Sequence, residues 1–377
     1  MNGPARIMIV AGEPSGDLHG AGVVRELKRR NPACDVFGIG GDLMISAGLD
    51  AVFHIRELSV MGFWEVVRHL PTLKAVERTL AALLRGRRPD IVILIDYPGF
   101  NLRFARRVKA ENIPVAYYIS PQIWAWRPGR IKKMKGIVDT MLVVFPFETA
   151  LYEKAGIPVR FVGHPLLEVL TDPPGRGEFL ARHGFSGDHP VVALFPGSRR
   201  QEIERIFPAM LGAARLINEA TGAQIAVGVS PVLEMEYMRS FLRGQEYIRL
   251  IQDASYDIMK NADLAVVTSG TATLETGYYR TPMIVVYKMS RLTYVIIRPL
   301  IRIRSIGLVN IVAGGPVVPE LIQGRANAET IATEAVALLR DPGRRASMSK
   351  ALGVIREKLG SPGASARVVD AVYSMCH

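Results

Sequence analysis

The sequence predicts an α/β protein built as two doubly wound, Rossmann-like domains facing each other across a cleft. Three observations carry this. Short apolar runs recur along the chain, each followed by a glycine- or proline-marked turn and then a helical pattern. Runs of that kind suit parallel strands buried on both faces, and the helices between them supply the long crossovers that parallel pairing needs. The βα rhythm breaks near residue 165 and resumes after Pro173-Pro174-Gly175, and a chain of 377 residues is long enough for two such cores.

Composition narrows the partners. Hydrophobic content of 49% and charged content of 22% are globular values. The net charge of +12, from 47 basic and 35 acidic residues, favours nucleic acid, an anionic membrane surface or a phosphorylated substrate. Cys34 and Cys376 lie at opposite ends without metal-site spacing, which points to a reducing, cytoplasmic setting rather than a disulfide scaffold. Met1 to Arg6 run straight into a strand, so no signal peptide is expected. No apolar run approaches the roughly 18 residues of a membrane span. A membrane would be met from the side.

In the first half, Ile7 to Ala11 read as a strand, Gly12-Glu13-Pro14-Ser15-Gly16-Asp17 as a turn, and Leu18 to Arg30 as a helix. Neither this turn nor Gly38-Ile39-Gly40-Gly41-Asp42-Leu43 has dinucleotide-fingerprint spacing, so a nicotinamide is not expected and no cofactor is assigned. Glu13 reads as a functional carboxylate or as a solvated turn residue. Residues 58–67, LSVMGFWEVV, are apolar and aromatic and lead into an amphipathic helix. Met61, Phe63 and Trp64 are candidates for contact with acyl chains or a lipid interface. Asp90 to Ile95 form a strand, and its carboxyl end faces the ligand crevice of such a sheet. Asp96 therefore stands where a general base would be placed, or else caps the helix starting near Gly99. After the strand Val115 to Ile119, Trp124 and Trp126 lie beside five basic residues. That mixture suits a membrane headgroup layer or a phosphosugar, and no recognised nucleic-acid motif accompanies it. His164 is a crevice residue or a satisfied structural histidine.

In the second half, the strand Val191 to Phe195 ends in Pro196-Gly197-Ser198-Arg199-Arg200. Gly197 allows close backbone approach, Ser198 can donate, and Arg199 can fork onto a phosphate. Leu264 to Val267 read as a buried strand that leads into Thr268-Ser269-Gly270-Thr271-Ala272-Thr273-Leu274-Glu275. Ser269 and Gly270 let the chain turn, and Thr271 or Thr273 is expected to cap a new helix. Free amides and the positive dipole end suit an anion there, and Glu275 is placed to accept from a sugar diol. This is a nucleotide-sugar site or an ordinary capped turn. Residues 288–304 are basic and amphipathic, a second candidate for an anionic membrane surface. Pro319 to Gln323 read as a further turn of helix.

Ten segments together resemble the lipid-A-disaccharide synthase family: GEPSGD (12–17), GIGGDLM (38–44), MGFWEV (61–66), IDYPGFN (95–101), ISPQIWAWRPGR (119–130), FPFE (145–148), FVGHPL (161–166), FPGSR (195–199), TSGTATLE (268–275) and VPELIQ (318–323). Any one is weak; ten in order over nearly the whole chain are specific. The resemblance implies the glycosyltransferase B fold and a metal-independent, inverting enzyme at the cytoplasmic face of the inner membrane. The implied reaction joins UDP-2,3-diacylglucosamine to 2,3-diacylglucosamine 1-phosphate (lipid X), giving UDP and the β-1,6-linked disaccharide 1-phosphate of lipid A.

On this resemblance Asp96 is the base that takes the proton from the acceptor 6-hydroxyl, and Glu13 is a second functional carboxylate. Arg199, Glu275 and Asn310 match the UDP side, with Gly197, Ser198, Ser269, Gly270 and Thr271 around them. No Asp-x-Asp pair occurs in the chain, so the diphosphate charge falls to Arg199 and helix-start amides. The sequence departs from the family at Pro14 (alanine is usual), Gly99 (an acidic residue is expected) and Val309 (proline is usual). Residues 1–165 are the expected acceptor domain, 166–344 the UDP-sugar domain, and 345–377 are expected to pack back on the first. A homodimer is compatible with the resemblance. Two rival readings stand beside it. A UDP-N-acetylglucosamine 2-epimerase would share the fold and UDP pocket but has no use for the aromatic stretch at 61–64. A non-catalytic binder of anionic lipid or nucleic acid accounts for the charge but not for a strand-end Asp in a nucleotide fold.

Overall fold

The computed structural model describes residues 6–57, 70–122, 128–242, 245, 247–290 and 305–376. Met61, Phe63, Trp64, Trp124 and Trp126 lie outside the described residues, as do residues 291–304 of the basic stretch. The chain divides into two compact units, Met1–Glu168 with Leu359–His377, and Val169–Lys358. Residues 345–358 thus belong to the second unit, and the return to the first begins at Leu359.

The first unit is a seven-stranded sheet in the order β3-β2-β1-β4-β5-β6-β7. Its strands are β1 (Arg6–Ala11), β2 (Asp35–Gly40), β3 (Asp50–His54), β4 (Ile91–Ile95), β5 (Val115–Tyr118), β6 (Thr140–Val143) and β7 (Val159–Phe161), and every pairing is parallel. All five side chains of β4 are buried, as a central strand covered on both faces requires. Helix Pro14–Arg30 begins four residues earlier than the sequence suggests. Proline is well suited to a first helical turn, where its missing N–H costs nothing.

The second unit is a six-stranded parallel sheet in the order β10-β9-β8-β11-β12-β13. Its strands are β8 (Val191–Phe195), β9 (Gln224–Val229), β10 (Ile248–Gln252), β11 (Leu264–Thr268), β12 (Met283–Tyr287) and β13 (Glu320–Ile322). Glu320–Ile322 is a strand and not the expected helical turn. Three residues are too few to show a period, and pairing with β12, Val285 opposite Glu320, decides the conformation. Each sheet reverses its strand order once, between β1 and β4 and between β8 and β11. In open parallel sheets, ligands bind beyond the strand ends at such points.

The returning segment is tied down by polar contacts. Helix Ala364–Met375 packs on helix Pro14–Arg30. Arg30 donates to Asp370 Oδ1 at 2.5 Å and to the Ala366 carbonyl at 3.2 Å. Gly22 makes room for Ser365, whose Oγ would lie 2.4 Å from a Cβ at that position. The Glu168 carboxylate accepts from the Ser365 amide (2.8 Å) and hydroxyl (2.5 Å). Glu168→Ala strands both donors, and buried unpaired groups cost about 1–3 kcal/mol. Urea unfolding of this variant should begin at correspondingly lower denaturant; an unchanged midpoint would remove Glu168 from the anchoring of the segment.

Candidate active site

The register of β1 with β4 sets Ala11 opposite Ile95, so Gly12-Glu13 and Asp96-Tyr97 leave the first sheet side by side. Asp96 and Tyr97 both have positive φ, 44° and 46°. Two consecutive left-handed residues other than glycine are uncommon and strained. Local bonds hold them. Tyr117 Oη donates to the Asp96 carbonyl at 2.5 Å, Asn101 Nδ2 donates to the same oxygen at 2.8 Å and to Ile95 O at 3.1 Å, and the Asp96 amide donates to Tyr118 O at 3.0 Å. The Tyr97 ring lies over Gly12, where a Cβ would fall 2.3 Å from a ring carbon.

Helix Pro98–Ala110 has Tyr97, not Asp96, at its N-cap, and the Asp96 carboxyl accepts a backbone hydrogen bond from Tyr97. That half-buried carboxyl is held up at a pKa of about 6, first by burial and then by the Glu13 charge. Glu13 is half-buried at the N-cap of helix Pro14–Arg30, and its side chain makes no capping bond. Asp17, given no role from sequence, is buried and accepts from the amides of Gly41 (2.7 Å), Met44 (3.0 Å) and Leu43 (3.2 Å). It braces the glycine turn after β2. His164 is a structural histidine. Its Nδ1 accepts from the Leu166 amide at 3.1 Å, its ring lies 5.1 Å from that of Phe145, and burial pushes its pKa down to about 3.

In the second unit, β8 and β11 run in register with Phe195 opposite Val267, so Pro196–Arg199 and Ser269–Gly270 emerge together. Gly197 has φ 110°, a backbone that favours glycine. Arg199 is the N-cap of helix Arg200–Thr221, makes no capping bond, and keeps an exposed guanidinium paired to Glu202 at 3.2 Å. Ser198 is exposed. Helix Thr271–Tyr278 is capped by neither threonine. Gly270 holds the N-cap, Thr271 is exposed, and the Thr273 hydroxyl donates back to Gly270 O at 2.7 Å. The Thr273 amide donates to Gly270 O at 3.1 Å, and a cap without a side chain offers no side-chain acceptor to the Thr271 and Ala272 amides ahead of it, a setting that suits an anion. Ser269 Oγ donates to Ile306 O at 2.9 Å. Glu275 is half-buried, and burial raises its pKa to about 7 against the opposing hydrogen bond from Tyr256.

Asn310, matched by resemblance to the UDP side, is engaged within its own loop. It is buried and its amide is fully engaged: Nδ2 donates to Val318 O (2.9 Å) and Glu320 Oε1 (2.8 Å), while Oδ1 accepts from the amides of Val317 (2.8 Å) and Val318 (3.0 Å). These four bonds shape the loop beside Ser269. Glu320 completes that loop by accepting from the amides of Ile306 (2.8 Å) and Gly307 (3.0 Å). Sequence reasoning missed Glu320; the signal available was a lone carboxylate inside the apolar run Val317-Val318-Pro319-Glu320-Leu321-Ile322.

Residues 7–365 match the family model described as Lipid-A-disaccharide synthetase. The lipid-A-disaccharide synthase of Syntrophus aciditrophicus (strain SB) is 47% identical over 364 residues, which cover 96% of this chain and 95% of that protein. The chain belongs to the lipid-A-disaccharide synthase family. It is a glycosyltransferase of lipid A biosynthesis. Two solved structures share its fold at low identity. The UDP-GlcNAc 2-epimerase of Neisseria meningitidis, bound to UDP-GlcNAc, superposes with a TM-score of 0.63 at 13% identity over 98% of this chain and 100% of that one. CalG4, the calicheamicin glycosyltransferase, gives 0.63 at 14% identity over 99% and 98%. The epimerase likeness is one of fold alone, whereas the synthase match extends to sequence over nearly the whole chain.

A carboxyl with a folded pKa of about 6, above its ordinary 3.8, binds a proton in the native state that the unfolded chain has released. Its contribution to stability is therefore present at low pH and lost as pH rises through that window. The same rise generates the ionised side chain. Transferase activity should climb through about pH 6, and Glu13→Gln should move the midpoint to lower pH in the activity that remains, as read from kcat/KM against pH. A midpoint unmoved by this change would uncouple the two carboxylates.

Proposed function

We propose that the protein joins UDP-2,3-diacylglucosamine to lipid X in one displacement with Asp96 as the base. The bond between the donor sugar C1 and the UDP oxygen breaks, the acceptor O6 bonds to C1 with inversion, and the hydroxyl proton passes to the Asp96 carboxylate. The supporting observation is Asp96 itself, at the switch point of its sheet and raised toward neutrality by burial and by Glu13, against one backbone hydrogen bond from Tyr97. A base with a pKa near the working pH combines ionised population with proton affinity. Glu13 orients the acceptor. The diphosphate is assigned to Arg199 and the amides at the start of helix Thr271–Tyr278, and the ribose to Glu275. The first unit holds the acceptor and the second the nucleotide.

The membrane reading draws on the +12 charge and on the acyl chains of the family's substrates. Among the described residues, no helix is long and apolar enough to cross a bilayer. Met61, Phe63, Trp64, Trp124 and Trp126 are proposed to meet the anionic cytoplasmic face of the inner membrane from the side.

UDP release should require both lipids and survive a chelator. Release without lipid X would favour hydrolysis or epimerase-like chemistry. Asp96→Asn should lower kcat by about 10²- to 10⁴-fold while UDP affinity stays the same; full turnover in that variant would end the base assignment. Sedimentation with anionic vesicles should weaken as salt rises, and equal binding to neutral vesicles would count against the charged surface.

A further inference from the structure

Glu275 sits in an unusual setting for a carboxylate. Among the described residues, the Tyr256 hydroxyl, 3.3 Å from Oε1, is the one hydrogen-bond donor to its side chain. No cation pairs with it there. On helix Ser255–Asn261, Asp257 pairs with Arg182 (3.4 Å) and Lys260 with Asp172 (2.8 Å). Helix Leu308–Ala313 carries no titratable group. From helix Val354–Leu359, Arg356 Nε donates to Tyr278 O at 2.8 Å, Lys358 donates to Ala313 O at 3.3 Å, and Glu357 is an acidic side chain. Tyr279, one turn along from Glu275, is a further titratable neighbour.

Tyr256 is itself held in place. Its ring packs on that of Tyr279 at 5.9 Å and 44°, and Tyr279 Oη donates to Thr171 O at 2.7 Å. A phenol fixed by its ring and aimed at one carboxylate oxygen restricts the rotation of that carboxylate. It also favours the ionised form, which accepts from a diol.

We infer that Tyr256 is a positioning residue for nucleotide binding, holding Glu275 aimed and ionised for the ribose hydroxyls. This rests on the assignment of Glu275 to the ribose. No local signal marks the pair, because Tyr256 and Glu275 come from different βα units.

The test is calorimetric titration of UDP into the full-length protein across neutral pH, for wild type, Tyr256→Phe, Glu275→Gln and the double variant. Wild-type affinity should rise with pH through about 7. Tyr256→Phe should weaken UDP about tenfold at neutral pH, the scale of a hydrogen bond to a charged group. Its pH midpoint should move upward and its affinity recover at higher pH. Adding Tyr256→Phe to Glu275→Gln should change nothing further. 2′-Deoxy-UDP, with one donor hydroxyl fewer, should show a smaller penalty. If Glu275→Gln binds UDP like wild type, the ribose assignment itself fails. If Glu275→Gln weakens UDP but Tyr256→Phe leaves the affinity unmoved, or lowers it equally at every pH, the inference about Tyr256 fails and the ribose assignment stands.

Discussion

The parallel register of β1 with β4 is the constraint on which the first unit turns. It brings the ends of two strands, more than 80 residues apart in the chain, to one edge at one height. The chain must then leave in two directions from one place. Gly12 meets that demand by having no side chain under the Tyr97 ring, and Asp96-Tyr97 meet it with a left-handed pair that ordinary side chains resist. Asn101 and Tyr117 hold the Asp96 carbonyl and so stabilise the turn from behind. None of these groups needs to touch a substrate to matter.

The two units solve a similar problem with similar parts. Each places a half-buried carboxyl beyond a sheet's reversal point, with no cation paired to it among the described residues, and in each burial raises the affinity for a proton. Burying a charge without a partner lowers stability, and such groups persist where function requires them. The surrounding carboxylates are spent differently. Asp17 and Glu320 each take several backbone amides and fix a turn, so their charge serves geometry.

Much of this was legible in the residues. Apolar runs marked the central strands because a strand covered on both faces must be apolar throughout, and their ends pointed to Asp96, Arg199 and the turn before Glu275. What escaped was set by distant partners. The threonines after Gly270 looked like caps by type, yet the helix starts on the glycine. Asn310 matched the nucleotide side by motif, and nothing local shows that Glu320 and residues 317 and 318 bond its amide. β13 is too short for a period and exists because β12 offers it an edge. Asp17 gives no local sign that it reaches 24 residues ahead to the Gly41 amide.

The return of Leu359–His377 to the first unit has a consequence for how the chain is made. Translation supplies about 5–20 residues per second, and domains near the N-terminus generally fold first. Here the face of helix Pro14–Arg30 that receives Ser365, Ala366 and Asp370 waits until those residues emerge. The second unit, contiguous from Val169 to Lys358, is fully synthesised before the first has its last helix. The nascent protein therefore carries an uncovered flank through most of its synthesis, and the domain begun first on the ribosome is the one completed last.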